Sequence, residues 1–583
     1  MSESNEIVIT MRPGDMDNFY AKIPYGKIAN IHRIGGLWQQ TSKEWKFPID
    51  DIIWQKFKDE FKDEFRNGLV KKSLAFIYAM DERRKHLEKF TEFKKIAMRD
   101  EPTDFGVEGV SLDGKNCLFN YQRWGIKCGL QVGDGFLIGD VPGLGKSIQS
   151  LGIAIERKNR GEIRNCLIVC PASLKYNWLD EIHKFTRETA LVIGHKCKNS
   201  ADREKQWVAE GYFFKIVNYE LVARDLYHDQ KKGGADTRVP AWKGILNSFD
   251  MVVFDEIQYC KHHSSQRTMS CRMFRTKYRV GLSGTPIDGR LEEIHSIFQI
   301  LKPGLFINRK RFMERYAEYD YFGAVKGYHF IGEVADKIEP YYLRRQKEEV
   351  LKDLPPKIFK DMHVQLSPAN MKAYMDIVKK RSEITTEASA IELLIRARQF
   401  LDFPEILGLH NTSDKYAVFK ELVDNLVKDN GQKVIVFSEY TNTLHWLIKN
   451  LEPEYDNILV IDGSVSSNER QEIVKKFNND PNCHIILCSD AAAEGLNMQN
   501  AHAVIHYTDS YKPTKMQQRN DRAHRATTQH SVTIYRFVVD GTIDERVRDI
   551  LARKMAVNNA LLNEDCDEFE TKGTTAMDLI KCL

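Results

Sequence analysis

The sequence predicts an α/β protein of two parallel-sheet lobes joined by a helical linker, with a small α+β module at its N-terminus. Three observations predict it. Short apolar runs alternate with helix-prone segments from about residue 115 to 305. The same alternation resumes after Gly431. A glycine-rich loop opens the first half, and none opens the second. The runs of the first half are Cys166-Leu-Ile-Val-Cys170, Phe214-Lys-Ile-Val217, Met251-Val-Val-Phe254 and Tyr278-Arg-Val-Gly-Leu282. Those of the second are Val434-Ile-Val-Phe437, Ile458-Leu-Val-Ile461, Ile485-Ile-Leu-Cys488, Val504-Ile505 and Val532-Thr-Ile-Tyr535. Continuous apolar runs of this length suit parallel strands covered by helices on both faces. Between the halves the strand signal fades and Leu354-Pro355-Pro356 breaks the chain, so 306–410 reads as a helical linker. The expected divisions are a module over 1–55, a charged helical connector over 56–114, a first lobe over 115–305, the linker, and a second lobe over 411–583.

The loop is Asp140-Val-Pro-Gly143-Leu-Gly145-Lys146-Ser147, between the apolar run Gly135-Phe-Leu-Ile138 and the helix-like run Ile148-Gln-Ser-Leu-Gly-Ile-Ala-Ile155. Strand, loop and helix in this order can hold phosphate. Gly143 and Gly145 let backbone amides turn inward and the helix N-terminus favours anions. Lys146 can reach the outer phosphates, and the Ser147 hydroxyl can hold Mg²⁺. A glycine-rich turn that merely starts a core helix is the plain alternative, and Asp140 stands where the first glycine of the usual pattern is expected. Asp255-Glu256 directly follows the run Met251–Phe254. Carboxylates at a buried strand end are costly unless a metal or another partner compensates them. Asp255 there can hold Mg²⁺ through water, and Glu256 can polarise an attacking water. A third stretch is Gln517-Gln-Arg-Asn-Asp-Arg522-Ala-His-Arg525. Arg522 and Arg525 share a face if the segment is helical. Their planar forks suit phosphate oxygens, as arginine fingers or as a basic face in water.

The chain has 583 residues, 42% hydrophobic and 29% charged, with a net charge of +4. That length allows several domains of ~100–200 residues, and the balance is that of a globular rather than a disordered chain. No apolar run is long enough to span a bilayer, and Met1-Ser-Glu-Ser-Asn-Glu6 lacks the pattern of a signal peptide. A soluble, non-secreted protein is expected, cytoplasmic or nucleoid-associated in a prokaryotic or viral setting and nuclear in a eukaryotic one. The eleven cysteines are scattered. Cys166 and Cys170 sit in a strand-like run with no second pair to complete a zinc site. The basic clusters Lys71-Lys72, Arg83-Arg84-Lys85 and Lys94-Lys95 read as solvated helix faces, with phosphate contact as the alternative.

Taken together, the motifs resemble those of a Swi/Snf-type ATPase of helicase superfamily 2. Phe119-Asn-Tyr-Gln-Arg-Trp-Gly125 resembles the family's opening motif, and Asp140–Ser147 resembles its D-E-M-G-L-G-K-T, in which an Asp is the rule. Cys170-Pro-Ala-Ser-Leu-Lys-Tyr-Asn-Trp178 resembles its first nucleic-acid motif. Asp255-Glu-Ile-Gln258 and Leu282-Ser-Gly-Thr-Pro286 resemble the hydrolysis and coupling motifs. The likeness continues through Leu343-Arg-Arg-Gln-Lys347, Leu354-Pro-Pro-Lys357, Val436-Phe-Ser438, Asp462-Gly463, Ser489 to Asn497 and Gln518 to Arg525, and covers roughly 115–550. Two departures are Gln258 for the usual His and Tyr511-Lys-Pro513 for W-N-P. At the N-terminus, Ile23-Pro-Tyr25, Ile34-Gly-Gly-Leu-Trp38 and Lys43-Glu-Trp-Lys-Phe-Pro48 are similar to the HARP module of annealing helicases.

The resemblance implies two RecA-like lobes with ATP and Mg²⁺ in the cleft between them. Gln122 would face adenine, and Gly143, Gly145, Lys146 and Ser147 would hold the phosphates. Ser147 and Asp255 would hold Mg²⁺, mostly through water. Glu256 would activate water, and Arg522 and Arg525 would complete the site only on closure of the lobes. DNA, duplex or branched, would be the partner of a monomeric motor. Ser173 and Lys175 would touch it, and Trp38 and Trp45 would stack on or grip it, or else form the core of their small module. The implied activity is DNA-stimulated ATP hydrolysis that drives translocation, reannealing and fork remodelling. An RNA helicase on the same motor and a non-enzymatic nucleic-acid scaffold are the alternatives. No nuclease motif stands out, and the acidic stretch Asn563-Glu-Asp-Cys-Asp-Glu-Phe-Glu570 receives no role.

Overall fold

A computed structural model describes residues 6–12, 15–24, 31, 37–48, 51–98, 101–111, 118–197, 199–226, 228–232, 235–239, 244–284, 290–319, 325–351, 354–384, 386–490, 496–525, 528, 530–552 and 568–569. The chain forms two compact units, Met1–Lys95 and Ile96–Leu583.

The first unit is a five-stranded sheet of β1 (Ile7–Arg12), β2 (Asp15–Lys22), β3 (Leu37–Gln39), β4 (Glu44–Pro48) and β5 (Val70–Lys72), in the order β3-β4-β2-β1-β5. Strict alternation in β1 buries Ile7 and Ile9 on one face. Helix Asp51–Glu60 covers that face with Phe57, and Phe61, Phe76 and Met80 complete the core around Phe19 and Phe47. The boundary expected after residue 55 therefore falls inside a helix, and the unit's fifth strand lies beyond it. Charge hid this. Val70-Lys71-Lys72 carries two lysines, and the buried phenylalanines are spread through a lysine- and glutamate-rich stretch.

In the second unit the first lobe is a seven-stranded parallel sheet. Its strands are β6 (Gly135–Ile138), β7 (Cys166–Cys170), β8 (Ala190–Val192), β9 (Phe214–Asn218), β12 (Met251–Asp255), β13 (Tyr278–Leu282) and β16 (Tyr342–Leu343). Their order is β16-β6-β13-β12-β7-β9-β8. The intervening strands form two small appendages: β10 (His228–Lys232) with β11 (Ala235–Val239), and β14 (Ala317–Tyr319) with β15 (Val325–His329) and β23 (Glu568–Phe569). The second lobe is a six-stranded parallel sheet, β17-β22-β21-β18-β20-β19, from β17 (Lys357–Val364), β18 (Val434–Phe437), β19 (Leu459–Ile461), β20 (Ile485–Cys488), β21 (Ala503–His506) and β22 (Val532–Val539). β6, β7, β9, β12, β18, β20 and β21 are buried at every residue, as fully covered parallel strands require.

The linker is less helical than expected. It holds β14 and β15, it lends β16 to the first sheet, and it begins the second sheet at Lys357 rather than after 410. β17 lacks an apolar run because it is an edge strand, Lys-Ile-Phe-Lys-Asp-Met-His-Val, mostly exposed and interrupted by two lysines and an aspartate. The helical part of the expectation is met by Pro368–Lys379 and Glu387–Asp402. Gly35-Gly36, Thr285-Pro286, 491–495 and most of the acidic C-terminal stretch lie outside the described residues. Among the described residues no helix is long and apolar enough to cross a membrane. Cys166 and Cys170 are free and buried in β7.

Candidate active site between the two lobes

The phosphate loop leaves the C-terminal end of β6, beside β13, where open α/β sheets hold their ligands. Gly143 (φ 95°) and Gly145 (φ 75°) both adopt left-handed backbone that a side chain would strain. Gly284, just after β13, approaches so closely that a Cβ there would stand 2.8 Å from Pro142 Cδ and 3.5 Å from Lys146 Nζ. Lys146 Nζ donates to the Asp140 carbonyl at 3.0 Å, folded back along its own loop.

Asp140, the residue in the first-glycine position, is fully buried and anchors the loop from beneath. Arg345 donates to both its carboxylate oxygens, through Nε at 3.0 Å and Nη2 at 2.5 Å, and Gln149 adds a third bond at 2.9 Å. The Arg345 guanidinium also reaches the Tyr121 carbonyl and Gln149 Oε1, the latter at 2.7 Å. A buried pair of this kind is worth little against a well-packed apolar replacement, but breaking one partner leaves an uncompensated charge. Arg345→Met should therefore lower the unfolding free energy by about 3–5 kcal/mol. Urea unfolding followed by tryptophan fluorescence checks it, and a loss below about 1 kcal/mol would remove Asp140–Arg345 as the loop's anchor.

Asp255 ends β12. Its Oδ2 accepts Trp178 Nε1 at 2.8 Å, its Oδ1 accepts the Glu256 amide at 2.9 Å, and its carbonyl accepts the Tyr219 hydroxyl at 2.8 Å. Burial, and then repulsion from Glu256, push the Asp255 carboxyl up to about 7 against the pull of Trp178 and Lys146. A divalent cation beside Asp255 would reverse that penalty. Glu256 sits in left-handed backbone (φ 48°), and its Oε2 accepts Gln258 Nε2 at 2.5 Å. Gln258, one of the two departures from the family pattern, thus holds the proposed base. Tyr511, the other, packs over the Arg398 guanidinium at 4.6 Å.

The second lobe brings Arg525 to the same place. A Cβ on Gly143 would lie 3.7 Å from Arg525 Cα. Arg525 Nη2 and Arg522 Nη1 both donate to the Leu496 carbonyl, at 2.7 and 3.0 Å, and Arg522 Nε donates to the Gln518 carbonyl at 3.0 Å. Burial and the Arg522 charge push the Arg525 guanidinium down to about 9, against the pull of Asp521 and Glu181. Arg519 of the same segment is consumed inside its own lobe by Asp490, at 2.6 Å.

Gln122, expected to face adenine, is bonded within the protein. Its Nε2 donates to the Leu144 carbonyl at 3.2 Å and its Oε1 accepts the Phe119 amide at 3.1 Å, so the buried amide braces the phosphate loop from the side. The open aromatic surface at that end is Phe119, 49% exposed and stacked on Tyr121 at 5.7 Å. Ser173 lies in the turn Ala172–Leu174 and Lys175 opens the helix Lys175–Phe185 that follows it; burial lowers the Lys175 pKa. Two further residues of that helix, Trp178 and Glu181, carry its influence into the site. Burial raises the Glu181 carboxyl, offset by the Ser147 hydroxyl and Arg525. Asn177 Oδ1 accepts Gln471 Nε2 of the second lobe at 3.0 Å.

In the separate N-terminal unit the two tryptophans divide. Trp45 is 4% exposed and belongs to the core, which removes it as a direct contact, whereas Trp38 is 46% exposed and leans on it at 5.2 Å.

The model of the SNF2-related domain matches residues 71–408, and that of the helicase conserved C-terminal domain matches 414–527. An uncharacterized ATP-dependent helicase of Mycoplasma pneumoniae is 28% identical over 503 residues, 84% of this chain and 46% of that protein. The human DNA annealing helicase and endonuclease ZRANB3 is 28% identical over 462 residues, 76% of this chain and 40% of that protein. The chain thus spans less than half the length of these curated relatives. A solved Sulfolobus solfataricus SWI2/SNF2 ATPase core in complex with dsDNA is 23% identical, covering 80% of this chain and 96% of that one at a TM-score of 0.37.

Proposed function

Because the chain belongs to the SNF2-related family of superfamily 2 helicases, we propose that it hydrolyses ATP under stimulation by duplex or branched DNA and uses the cycle to move on that DNA and remodel it. The observation that carries the reading is the meeting of the phosphate loop, the Asp255-Glu256 pair and Arg525 where the two lobes touch. Lys146 turns from the Asp140 carbonyl to the outer phosphates. Glu256 takes the proton of the attacking water, and Arg525 meets the charge that develops on the transferring phosphoryl group. Mg²⁺, held by Ser147 and Asp255, would neutralise phosphate charge when bound.

Nucleic-acid stimulation has a physical route in this reading. Helix Lys175–Phe185 begins at the expected DNA contacts and carries Trp178, which fixes Asp255. Phosphate release measured with linear duplex, forked, junction and single-stranded DNA, and with RNA, tests the reading. Stimulation by duplex-containing DNA is expected, falling as salt rises because phosphate contacts release counterions. Stimulation by RNA alone would favour the RNA-helicase alternative, and no hydrolysis at all would favour the scaffold.

The finer reading is annealing and fork remodelling. A relative named as an annealing helicase and the exposed Trp38 support it. Trp38→Ala in the full chain should keep DNA-stimulated ATPase within about twofold and lower fork remodelling about five- to twentyfold, the loss of one stacked base. Deleting 1–55 is a poorer test, since it removes four of the unit's five strands. Unchanged fork remodelling by a folded Trp38→Ala protein would leave the N-terminal unit without this recognition role.

A further inference from the structure

The chain crosses from one sheet to the other on a short strap, from Leu343 at the end of β16 to Lys357 at the start of β17. Two basic residues on it act in opposite directions. Arg345 enters the first lobe and locks Asp140. Lys347 enters the second, where its Nζ donates to Asp521 Oδ1 at 2.6 Å and to the His524 carbonyl. Lys357 adds a second cation on the same Asp521 oxygen at 2.8 Å. Lys347 is 1% exposed, so this is a buried lock rather than a surface charge pair. Its stem also lies on the phosphate loop: a Cβ on Gly143 would stand 3.3 Å from Lys347 Cε and 3.5 Å from its Nζ. One lysine therefore touches the loop that takes the phosphates and bonds the backbone immediately before Arg525.

We propose that Lys347 is a positioning residue for hydrolysis: its ammonium, shared between Asp521 and the His524 carbonyl, sets where Arg525 stands against the phosphate loop. The inference rests on the ATPase reading above and adds to it the element that joins the two halves of the site. Phosphoryl transfer depends on placement, and a shift of about 1 Å in a positioned group can cost about 10²-fold. Arg525 is held to its own lobe by the Leu496 carbonyl and by a bond from its amide to Thr528. Neither contact reaches the first lobe; the Lys347 bonds do, because the strap continues directly from β16 of that lobe's sheet. A side chain at 143 would also crowd the lysine stem.

The groups that face Lys347 are Asp521, Lys357, His524 and Arg525. Burial lowers the Lys347 pKa to about 8, with Lys357 and Arg525 adding to the shift and Asp521 opposing it. Its charge is thus present at neutral pH and lost as pH rises through about 8.

Steady-state ATPase of the full chain tests the inference, with Lys347→Met, Asp521→Asn, the double variant and Lys347→Arg. Lys347→Met and Asp521→Asn should each lower kcat about 10–100-fold with KM for ATP within about threefold. The double variant should be no worse than the poorer single one, because both break the same lock. Lys347→Arg should restore most of kcat and move the alkaline fall in kcat upward from about pH 8, since the new guanidinium keeps its charge there. A lysine that served folding alone would leave that alkaline limb in place. A kcat for Lys347→Met within twofold of the parent, or losses that multiply in the double variant, would overturn the proposal. Should the parent protein itself fail to hydrolyse ATP, the ATPase reading falls, and hydrogen exchange then decides the lock separately. The amides of 517–525 should exchange faster in Lys347→Met, and unchanged exchange would overturn the proposal.

Discussion

The Glu256→Gln protein should bind ATP and turn it over far more slowly than the parent. Glu256 stands in left-handed backbone at the end of a fully buried strand, and Gln258 fixes its carboxylate at 2.5 Å. A glutamine there keeps the size and reach of the side chain and removes only the basic oxygen. The nucleotide contacts assigned to Lys146, Ser147 and the loop glycines are untouched. A positioned general base contributes about 10²–10⁴-fold, so single-turnover phosphate release should slow by that factor. Equilibrium binding of a fluorescent ATP analogue should change little. Any change should be toward tighter binding, because the substitution removes one of the charges that raise Asp255. Lys146→Ala gives the contrasting result, with both binding and turnover lost, since the lysine charge meets the phosphates directly. Release by Glu256→Gln within tenfold of the parent would reassign the base. Asp255 is the poorer candidate for that role, since both its oxygens are already engaged, by Trp178 and by the Glu256 amide.

The parts of this site that the sequence announced are those whose chemistry is local. A phosphate loop needs its glycines, lysine and hydroxyl within a few residues, and Asp255-Glu256 needs only a strand before it, so both were visible as runs. The parts that escaped act across the fold. Arg345 and Asp140 lie far apart in the chain, and nothing in Leu343-Arg-Arg-Gln-Lys347 says which basic residue enters which lobe. Trp178 stood inside a recognised motif, but its hydrogen bond to Asp255 depends on β7 and β12 being neighbours in the sheet. Gln122 is implied as an adenine contact by the family resemblance alone, and its bond to the Leu144 carbonyl, across the fold, has no local signal in the sequence. The strands followed the same rule. Fully buried β6, β7, β12 and β18 were legible as apolar runs, whereas β5 and β17, at sheet edges with lysines on them, were not.

Arg525→Ala should leave ATP bound and lower turnover by about 10³–10⁵-fold, the range that arginine fingers contribute in phosphoryl transfer. The expectation from sequence placed this arginine across an open cleft, to arrive only when the lobes close. The structure already brings its backbone to the phosphate loop, with its guanidinium turned to the Leu496 carbonyl and influenced by Glu181 and Arg522. The motion required is therefore a rotation of the side chain and a small shift of its segment. Ground-state affinity should then depend little on Arg525, because the parent's guanidinium is bonded to the Leu496 carbonyl before the transition state forms. Arg522 has two such carbonyl bonds, to Gln518 and Leu496, and Arg522→Ala should combine a similar loss of rate with a measurable loss of stability. Arg525→Lys separates charge from shape: it keeps the cation but loses the planar fork, so it should recover only a small part of the rate. Stopped-flow phosphate release together with nucleotide titration reads both quantities. Equal losses of affinity and rate in Arg525→Ala would mean uniform binding of substrate and transition state, and the role of finger would pass from Arg525 to Arg522.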